Sequence, residues 1–350
     1  MKTADNLLTI AVTGLNAIDS PGPGIAVIRG LREGLDRPVR IIGLSYETLE
    51  PGIYMRELVD KTYQVPYPAA GSAALLNRLH YIHEKENLQL VIPNFDAELN
   101  NFIRISPELK AMRISSFLPT AEQLGARDKI NLYRFGKEHR FLVPRDRIIY
   151  SPAELKECAE TLGYPLVVKG KFYDAVLAYT MEQAEKAFYK IMAKWGLPVI
   201  VQEFIQGTEV NIAVLGDGKG NTVSAIPMRK LYITDKGKAW AGITLEDASL
   251  IRLAHDFISA TQWRGGCELE IMRTKNEELY IMEINPRFPA WIYLSAAAGQ
   301  NQPAALARMA LGEEQPVFEH YEAGKIFIRY SWDMITDINA FHQVSGKGEW

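Results

Sequence analysis

Over the N-terminal part of the chain, short apolar runs alternate with stretches whose apolar residues recur at helical spacing. The apolar runs predict strands over residues 7–12, 37–46 and 88–96. The amphipathic stretches predict helices over residues 25–34 and 72–88. Elements that alternate in this way are typical of a parallel sheet with helices packed on its faces. We therefore predict an N-terminal α/β domain over residues 1–115.

Parallel sheets bind their ligands beyond the carboxyl ends of the strands. In this chain those ends are Gly14, Ser45 and the segment 94–96, which are therefore candidate binding positions. No group of glycines matches the GxGxxG spacing of a dinucleotide-binding turn, so the pattern gives only weak support to a dinucleotide site.

From about residue 116 the pattern changes to helices with clear capping signals and strands separated by polar turns. Ser151 followed by Glu154 matches a capping box at a helix start, and Thr180 with Gln183 matches a second one. Apolar runs predict strands over residues 165–170 and 198–205. Charged turns between later runs favour antiparallel pairing. We predict an α+β region with a small lobe over 116–197 and a large lobe over 198–350.

Composition narrows the function classes. The chain has 39 Lys and Arg against 42 Asp and Glu, a net charge of −3, and no run of like charge, so a nucleic-acid-binding surface is not expected. The two cysteines, Cys158 and Cys267, lie far apart, which argues against a disulfide framework or a cysteine zinc site and favours a reducing cytoplasm. The apolar stretches have strand length, so no membrane-spanning segment is expected.

The clearest chemical pattern is the segment 265–287, in which two strand-like runs flank a polar turn. We predict a hairpin with its symmetry point between Asn276 and Glu277. Alternation then places four oxygen-bearing side chains on one face: Glu268, Glu270, Glu283 and Asn285. Opposed carboxylates destabilise a sheet, and hard oxygen ligands suit Mg²⁺, so this face favours a cation. A solvated polar strand face is an equally open interpretation.

Two further patterns fit a nucleotide. Lys169 ends an apolar strand, so its ammonium could meet a phosphate, although a lone lysine more often marks a strand edge. The segment 202–209 runs from an apolar strand into a short turn. Backbone groups of residues 203–205 could bind the edge of a base, and Glu209 could accept ribose hydroxyls. An ordinary strand and turn would give the same pattern.

In their order and spacing these patterns resemble the ATP-grasp superfamily, and within it the carbamoyl-phosphate-synthase-like, carboxylate–amine ligase branch. The resemblance runs from about residue 7 to about 313 and includes the NPR signature at 285–287. It implies ATP and Mg²⁺ as cofactors, with Mn²⁺ as an alternative metal. It assigns Lys129 and Lys169 to the phosphates, Gln202, Glu203, Phe204 and Ile205 to the adenine, Glu209 to the ribose, and Glu270, Glu283 and Asn285 to the metal. The N-terminal strands resemble the pre-ATP-grasp domain of the family.

The resemblance also implies a reaction in which ATP converts a carboxylate to an acyl phosphate and an amine then forms an amide. Arg287 is the candidate for the substrate carboxylate, with a salt bridge that orders the metal strand as the alternative role. Arg229 and Lys230 are second candidates near the transferred group. An acceptor pocket could be lined by Phe288, Trp291 and Tyr293. Aromatic residues at such spacing more often lie in the core.

One segment departs from the family pattern. Relatives have a glycine- or serine-rich flap after the phosphate lysine, whereas residues 170–176 contain one glycine. We predict that Lys171, two residues beyond Lys169 and on the same side of a continuing strand, replaces the missing backbone donors. Phe172 and Tyr173 would then serve as the lid.

Two alternatives stay open. The glycine-poor flap fits a nucleotide-binding sensor or regulatory module with little turnover. A bicarbonate-phosphorylating, carbamoyl-phosphate-synthase-like enzyme is the other, although the chain has one grasp unit and no biotin-carrier segment. The expected partners are a small carboxylic acid and an amine, such as an amino acid or short peptide, with homodimer formation left open. Neither nucleic acid nor a membrane is expected as a partner.

Overall fold

The computed structural model describes residues 7–18, 21–171, 174–314 and 317–350. The strands are β1 (Leu8–Val12), β2 (Val39–Ser45), β3 (Lys61–Gln64), β4 (Leu90–Ile92), β5 (Asp146–Ile149), β6 (Leu166–Gly170), β7 (Ala175–Ala178), β8 (Val199–Glu203), β9 (Thr208–Asp217), β10 (Thr222–Ile233), β11 (Ala239–Thr244), β12 (Arg264–Arg273), β13 (Leu279–Asn285) and β14 (Ile326–Ile328). The α-helices are α1 (Pro23–Gly34), α2 (Ser72–Glu86), α3 (Asp96–Arg104), α4 (Ser106–Ala111), α5 (Ala121–Ala126), α6 (Leu132–His139), α7 (Leu155–Leu162), α8 (Met181–Trp195), α9 (Ala248–Thr261), α10 (Tyr293–Ala297), α11 (Gln302–Leu311) and α12 (Ile338–Lys347).

The chain forms two compact units that do not follow the chain in simple order. The first unit comprises residues 1–121, 211–268 and 285–350, and the second comprises residues 122–210 and 269–284. The division passes through β9, β12 and β13, so each of these strands contributes residues to both units. The three domain ranges drawn from the sequence stay predictions.

The N-terminal sheet of the first unit is parallel, with strand order β3-β2-β1-β4. All five residues of β1 are buried, as expected for a central strand covered on both faces. The chain leaves β1, builds β2 and β3 on one side, and then returns to place β4 on the other side. The topological switch point of this sheet therefore lies at the carboxyl ends of the neighbouring strands β1 and β4.

The first unit also contains antiparallel strands. A six-stranded sheet has the order β13-β12-β9-β10-β11-β14, and β10 pairs antiparallel with both β9 and β11. The edge strand β14 pairs with β11. Apolar residues of β10 share one core with the N-terminal sheet and the helices of the first unit. This core includes Val27, Ile41, Ile226, Ile292 and Leu306.

The second unit has an antiparallel sheet with the order β5-β8-β6-β7. A 3₁₀ helix, Pro152–Glu154, precedes α7 and begins with the predicted capping box. Ser151 Oγ accepts a hydrogen bond from Ala153 N at 3.2 Å, and Glu154 Oε1 accepts one from Ser151 N at 2.8 Å. At the start of α8, Thr180 Oγ1 accepts from Gln183 N at 3.3 Å, but the Gln183 side chain binds Tyr179 N instead of the cap residue.

One face of this sheet packs on α7 and α8 through Leu155, Val168, Phe188 and Val201. The predicted fold class is therefore confirmed: a parallel N-terminal sheet is followed by α+β structure with antiparallel sheets.

Candidate functional site

Lys169 lies on the face of the second unit's sheet that does not pack on the helices. Its neighbours Leu166 and Val168 are fully buried, so alternation turns Lys169 to the opposite face. Its Nζ donates to Gln202 Oε1 at 2.6 Å. Burial and the nearby charge of Lys129 lower the pKa of Lys169, while Glu283, Asp146 and Glu270 oppose that shift. The site therefore holds an ammonium that an anion would stabilise.

Lys129 belongs to the segment between α5 and α6, and its Nζ lies 3.3 Å from Glu283 Oε2. The two side chains are about one-third exposed, at 27% and 32%. This ion pair joins one predicted phosphate lysine to one predicted metal ligand. The sequence placed both residues in one site from their family positions, and the structure brings their charged groups together.

Asp146 is a site residue that the sequence analysis missed. In the register of the sheet it lies opposite Gln202, which is itself opposite Val167. Its Oδ2 is buried and has no hydrogen-bond partner among the described residues. Burial raises the pKa of Asp146 to about 6, against the opposing effect of Lys169. The four-residue strand β5 was too short to stand out from its apolar pattern, so no signal in the sequence pointed to this aspartate.

The predicted adenine-binding hinge is held by Arg145. The Glu203 carboxylate accepts from Arg145 N and Arg145 Nε, both at 2.7 Å. The backbone N–H of Glu203 donates to the carbonyl of Arg145 at 3.0 Å, so this donor belongs to the sheet and is not one that a base edge can use. Phe204 is 42% exposed. The predicted base contacts that this bond leaves are the carbonyl of Glu203 and the backbone groups of Phe204 and Ile205, and Glu209 follows in β9.

The turn of the predicted metal hairpin is placed one residue away from the expected register. Thr274 N donates to the carbonyl of Glu278 at 3.0 Å, so the turn is centred on Asn276 and not between Asn276 and Glu277. Glu277 has a φ of 62° and closes a three-residue loop in the left-handed region. Farther along β13, Ile281 and Ile284 are both fully buried, so the inward alternation shifts between them.

At the far end of this hairpin, in the first unit, the predicted pairing agrees with the contacts. Asn285 Nδ2 donates to Glu268 Oε2 at 3.1 Å. Glu268 Oε1 also accepts from Asn211 Nδ2 at 3.0 Å and from Trp291 Nε1 at 2.7 Å. Glu268 is only 6% exposed, so its charge is satisfied by neutral N–H donors within the protein.

The three aromatic residues do not line a common pocket. Phe288 and Trp291 are buried in the core of the first unit. Tyr293 donates through its hydroxyl to Glu33 Oε1 at 2.5 Å, and the Arg29 guanidinium stacks over its ring at 3.6 Å. Phe288 and Trp291 are therefore core residues, as the commoner interpretation in the sequence analysis expected.

Arg287 and Lys230 of β10 have protein partners. Arg287 Nε donates to Asp96 Oδ2 at 2.6 Å, where Asp96 begins α3, so the guanidinium forms a salt bridge of the kind weighed as its alternative role. Lys230 Nζ donates to the carbonyl of Gly237 at 3.1 Å. Arg229 lies on the exposed part of β10.

The strand argument for Lys171 is wrong. Strand β6 ends at Gly170, whose N–H donates to the carbonyl of Asp174 at 3.1 Å. Lys171 is exposed in the tight connection to β7, because this bond closes the hairpin before the strand can continue. Its position two residues after Lys169 therefore does not place it on the same side. The predicted lid residues Phe172 and Tyr173 lie outside the described residues.

The carboxyl edge of the N-terminal sheet contains a buried acid. Glu98 is fully buried and accepts from Asn94 N at 2.9 Å and Phe95 N at 3.0 Å. The hydroxyls of Thr13 and Tyr46 also donate to it. Burial raises the pKa of Glu98 to about 7, despite these four donors. The acid ties the ends of β1, β2 and β4 together, at the edge where the sequence predicted binding positions.

The predicted metal ligands fit a hard cation by their chemistry. Glu270 and Glu283 supply carboxylate oxygens, and Asn285 supplies an amide whose nitrogen is turned to Glu268. Oxygen donors of this kind suit Mg²⁺. Over residues 7–18, 21–171, 174–314 and 317–350, no group of three or more His, Cys, Asp and Glu side chains is arranged to hold a metal by itself.

Comparison with known proteins shows which families this chain resembles. Residues 197–329 match the model of a family described as ATP-grasp in the biosynthetic pathway with Ter operon. The D-alanine–D-alanine ligase of Verminephrobacter eiseniae is 25% identical over 179 residues, which cover 46% of this chain and 54% of the relative. Both matches agree with the resemblance to the ATP-grasp superfamily. The chain spans about half the length of the curated relatives it matches.

Solved structures share the fold of this protein over almost the whole chain. The biotin carboxylase domain of the Hydrogenobacter thermophilus 2-oxoglutarate carboxylase, solved with MgADP and bicarbonate, has a TM-score of 0.70 at 17% identity and covers 91% of this chain and 73% of its own. An ADP complex of N5-carboxyaminoimidazole ribonucleotide synthetase has a TM-score of 0.69 at 15% identity, with 93% and 82% covered. At such identity the likeness concerns the fold alone.

The resemblance to the ATP-grasp superfamily is therefore confirmed, while the roles of individual site residues stay predictions. None of the helices among the described residues has the length and apolar character needed to cross a membrane.

Proposed function

We propose that this ATP-grasp protein is an ADP-forming ligase that joins a carboxylic acid to an amine through an acyl phosphate. The observation that carries this proposal is the cation pair in the second unit. Lys169 has a lowered pKa and a neutral hydrogen-bond partner, and the nearby Lys129 is paired with Glu283. The ammonium of Lys169 donates to a neutral amide oxygen, so the phosphates of ATP would give it a charged partner.

The proposed chemistry proceeds in two displacements. A carboxylate oxygen of the acid attacks the γ-phosphorus, the bond to the β,γ-bridging oxygen breaks, and ADP leaves with that electron pair. The amine nitrogen then attacks the acyl carbon, and phosphate leaves as the carbon–oxygen bond breaks. The nitrogen loses its extra proton to solvent. The protein positions the reactants and offsets charge, so a nucleophilic side chain is not required.

We assign the following roles. Lys129 and Lys169 hold the phosphates, Gln202, Glu203, Phe204 and Ile205 form the adenine hinge, and Glu209 binds the ribose. Glu270, Glu283 and Asn285 would hold Mg²⁺, which offsets the negative charge of the phosphates when it is bound. Arg287 is the candidate for the substrate carboxylate, which would share the guanidinium with Asp96. Arg229, Lys230 and Lys171 remain candidates near the transferred phosphoryl group.

A nucleotide-binding sensor is the second candidate, and it is favoured by one observation. Lys171 is exposed on the short β6–β7 connection, and the segment 170–176 has one glycine, so phosphate cradling by backbone amides is restricted there. A sensor would bind ATP and release little ADP.

The test is ADP release measured against a panel of amino acids, short peptides and small carboxylic acids, each with and without a second amine and with bicarbonate as a separate acid. Ligation predicts ADP release that requires both an acid and an amine. Release with bicarbonate alone would support the carboxylase-like alternative. ATP binding without ADP release under all conditions would support the sensor.

A further inference from the structure

A buried carboxylate in the first unit decides the orientation of an amide next to it. Glu268 is 6% exposed and accepts three hydrogen bonds, all from nitrogen atoms. One of these donors is the indole N–H of Trp291, which can only donate. Glu268 Oε1 is therefore fixed as an acceptor, and Asn211 Nδ2 donates to the same oxygen at 3.0 Å.

The second carboxylate oxygen acts on Asn285. Asn285 Nδ2 donates to Glu268 Oε2 at 3.1 Å. The two heteroatoms of an amide diverge from the same carbon, so an amide that gives its nitrogen to Glu268 directs its Oδ1 away from Glu268. Without such a partner, the two orientations of an asparagine amide differ little in energy. Glu268 supplies the difference, because an ionised carboxylate accepts hydrogen bonds and cannot donate one.

We propose that Glu268 is a positioning residue that makes Asn285 present its oxygen, rather than its nitrogen, as a ligand for Mg²⁺. The inference rests on the proposed function only for the role of Asn285 as a metal ligand. Mg²⁺ is bound through oxygen, and an amide nitrogen that carries two hydrogens cannot replace it. An amide turned by half a rotation would remove one of the predicted ligands. Partners that orient metal ligands commonly affect metal affinity as the ligands themselves do.

The surroundings hold Glu268 in place for this role. Asn211 is 1% exposed and Trp291 is 6% exposed, so neither donor is easily replaced by water. Both donors bind Glu268 Oε1, and Asn285 binds Glu268 Oε2. The arrangement provides a fixed acceptor that does not depend on solvent.

The test exchanges the carboxylate for an amide. In Glu268→Gln, Trp291 and Asn211 still require an acceptor, so the new side chain gives them its oxygen and turns its NH₂ toward Asn285. Asn285 must then offer Oδ1 to that NH₂, and its nitrogen points outward. We expect the affinity for Mn²⁺, titrated by electron paramagnetic resonance in the presence of ADP, to fall by about 10–100-fold. Binding of ADP without metal should be unchanged.

A second substitution separates orientation from general damage. An aspartate at position 285 offers oxygen in either orientation, so Glu268→Gln combined with Asn285→Asp should regain most of the Mn²⁺ affinity. Glu278→Gln, at the exposed turn of the same hairpin, is the matched control and should bind like the unaltered protein. Unchanged Mn²⁺ affinity in folded Glu268→Gln, or a double variant no better than the single one, would overturn the inference.

A measurement without metal tests the positioning role of Glu268 separately from the proposed metal site. The side-chain ¹⁵NH₂ resonances of Asn285, identified by their loss in Asn285→Asp, report whether the nitrogen is hydrogen-bonded to Glu268. We expect them to move strongly in Glu268→Gln, and unmoved resonances would contradict the positioning role. If the unaltered protein with ADP binds no Mn²⁺ while these resonances do move, the metal assignment fails and the orienting contact stands.

Discussion

Two charged groups, Lys169 in the second unit and Glu268 in the first, are stabilised by the protein in opposite ways. Glu268 receives three N–H donors, so its charge is compensated within the fold. Lys169 donates to a neutral amide oxygen, and its pKa is lowered by burial and by the charge of Lys129. Desolvated charges cost free energy unless they are paired.

The difference separates a structural charge from one that awaits a ligand. Glu268 stabilises the fold as it is, whereas the environment of Lys169 improves when an anion arrives. Stability should therefore respond differently to changes at the two positions: it should fall at Glu268 and stay the same or rise at Lys169.

The largest expected effect is on activity at Lys169. Lys169→Met removes the desolvated ammonium and keeps the length of the side chain. We expect ADP release to fall by about 10³-fold, because a charge placed at the transferred phosphoryl group stabilises the transition state. The free energy of unfolding, measured with urea, should stay the same or rise. Lys156→Met, exposed on α7, serves as the control, and a variant that loses stability instead of activity would contradict the comparison.

Glu268 should show the reverse pattern in stability. Glu268→Ala leaves three buried donors without an acceptor, and we expect the free energy of unfolding to fall by about 3–4 kcal/mol. Glu278→Ala, on the exposed turn of the same hairpin, should change it by less than about 0.5 kcal/mol. Urea denaturation of the three proteins gives these values. A loss below about 1 kcal/mol at Glu268 would mean that its hydrogen bonds contribute little.

Glu98 extends the comparison to pH. Its pKa is raised from 4.5 to about 7 in the folded chain, so the folded protein holds a proton that the unfolded chain releases in this window. The contribution of Glu98 to stability is therefore full below about pH 4.5 and is lost as the pH rises to about 7, by up to about 3 kcal/mol. We expect Glu98→Gln to gain stability relative to the unaltered protein between pH 5 and pH 8.

The readout for Glu98 is the difference in unfolding free energy between the two proteins at each pH. The same difference for Glu108→Gln, exposed on α4, should be flat. A flat difference for Glu98→Gln as well would show that the carboxyl of Glu98 titrates normally.

The smallest expected effect concerns the ribose. Glu209→Ala should weaken ATP binding by about 1–2 kcal/mol in calorimetry, the scale of losing hydrogen bonds to a charged acceptor. Removal of the Lys169 ammonium should weaken it by more. Equal ATP affinity in Glu209→Ala and the unaltered protein would remove Glu209 from the nucleotide site.

Much of the fold follows from local pattern. The apolar runs predicted β1, β2, β6 and β8, and the capping residues Ser151 and Thr180 predicted the 3₁₀ helix before α7 and the start of α8. These elements depend on neighbours in sequence. Asp146 and the Glu98 cluster depend on contacts between distant strands, and no single-sequence pattern records such contacts. The register of the metal hairpin was off by one residue at the turn because the left-handed Glu277 adds a loop residue that alternation alone does not reveal.

The sequence predicted one part of the candidate site, the pair of Lys129 and Glu283, better than the segment around Lys171. The match to the family motifs assigned Lys129 and Glu283 to the same site, and their charged groups form an ion pair in the structure. The strand argument for Lys171 failed, because hairpin closure between Gly170 and Asp174 ends β6 before that residue. Short connections are set by backbone hydrogen bonds that a hydrophobic pattern does not record.

The central claim is that a carboxylate oxygen attacks ATP, and oxygen transfer tests it most directly. With an acid that supports ADP release, labelled with ¹⁸O in its carboxyl group, the account predicts that each turnover moves one ¹⁸O into the phosphate released, as seen by mass spectrometry or by the ³¹P isotope shift. ADP formed at the same rate with unlabelled phosphate would contradict an acyl phosphate and with it the proposed ligase reaction.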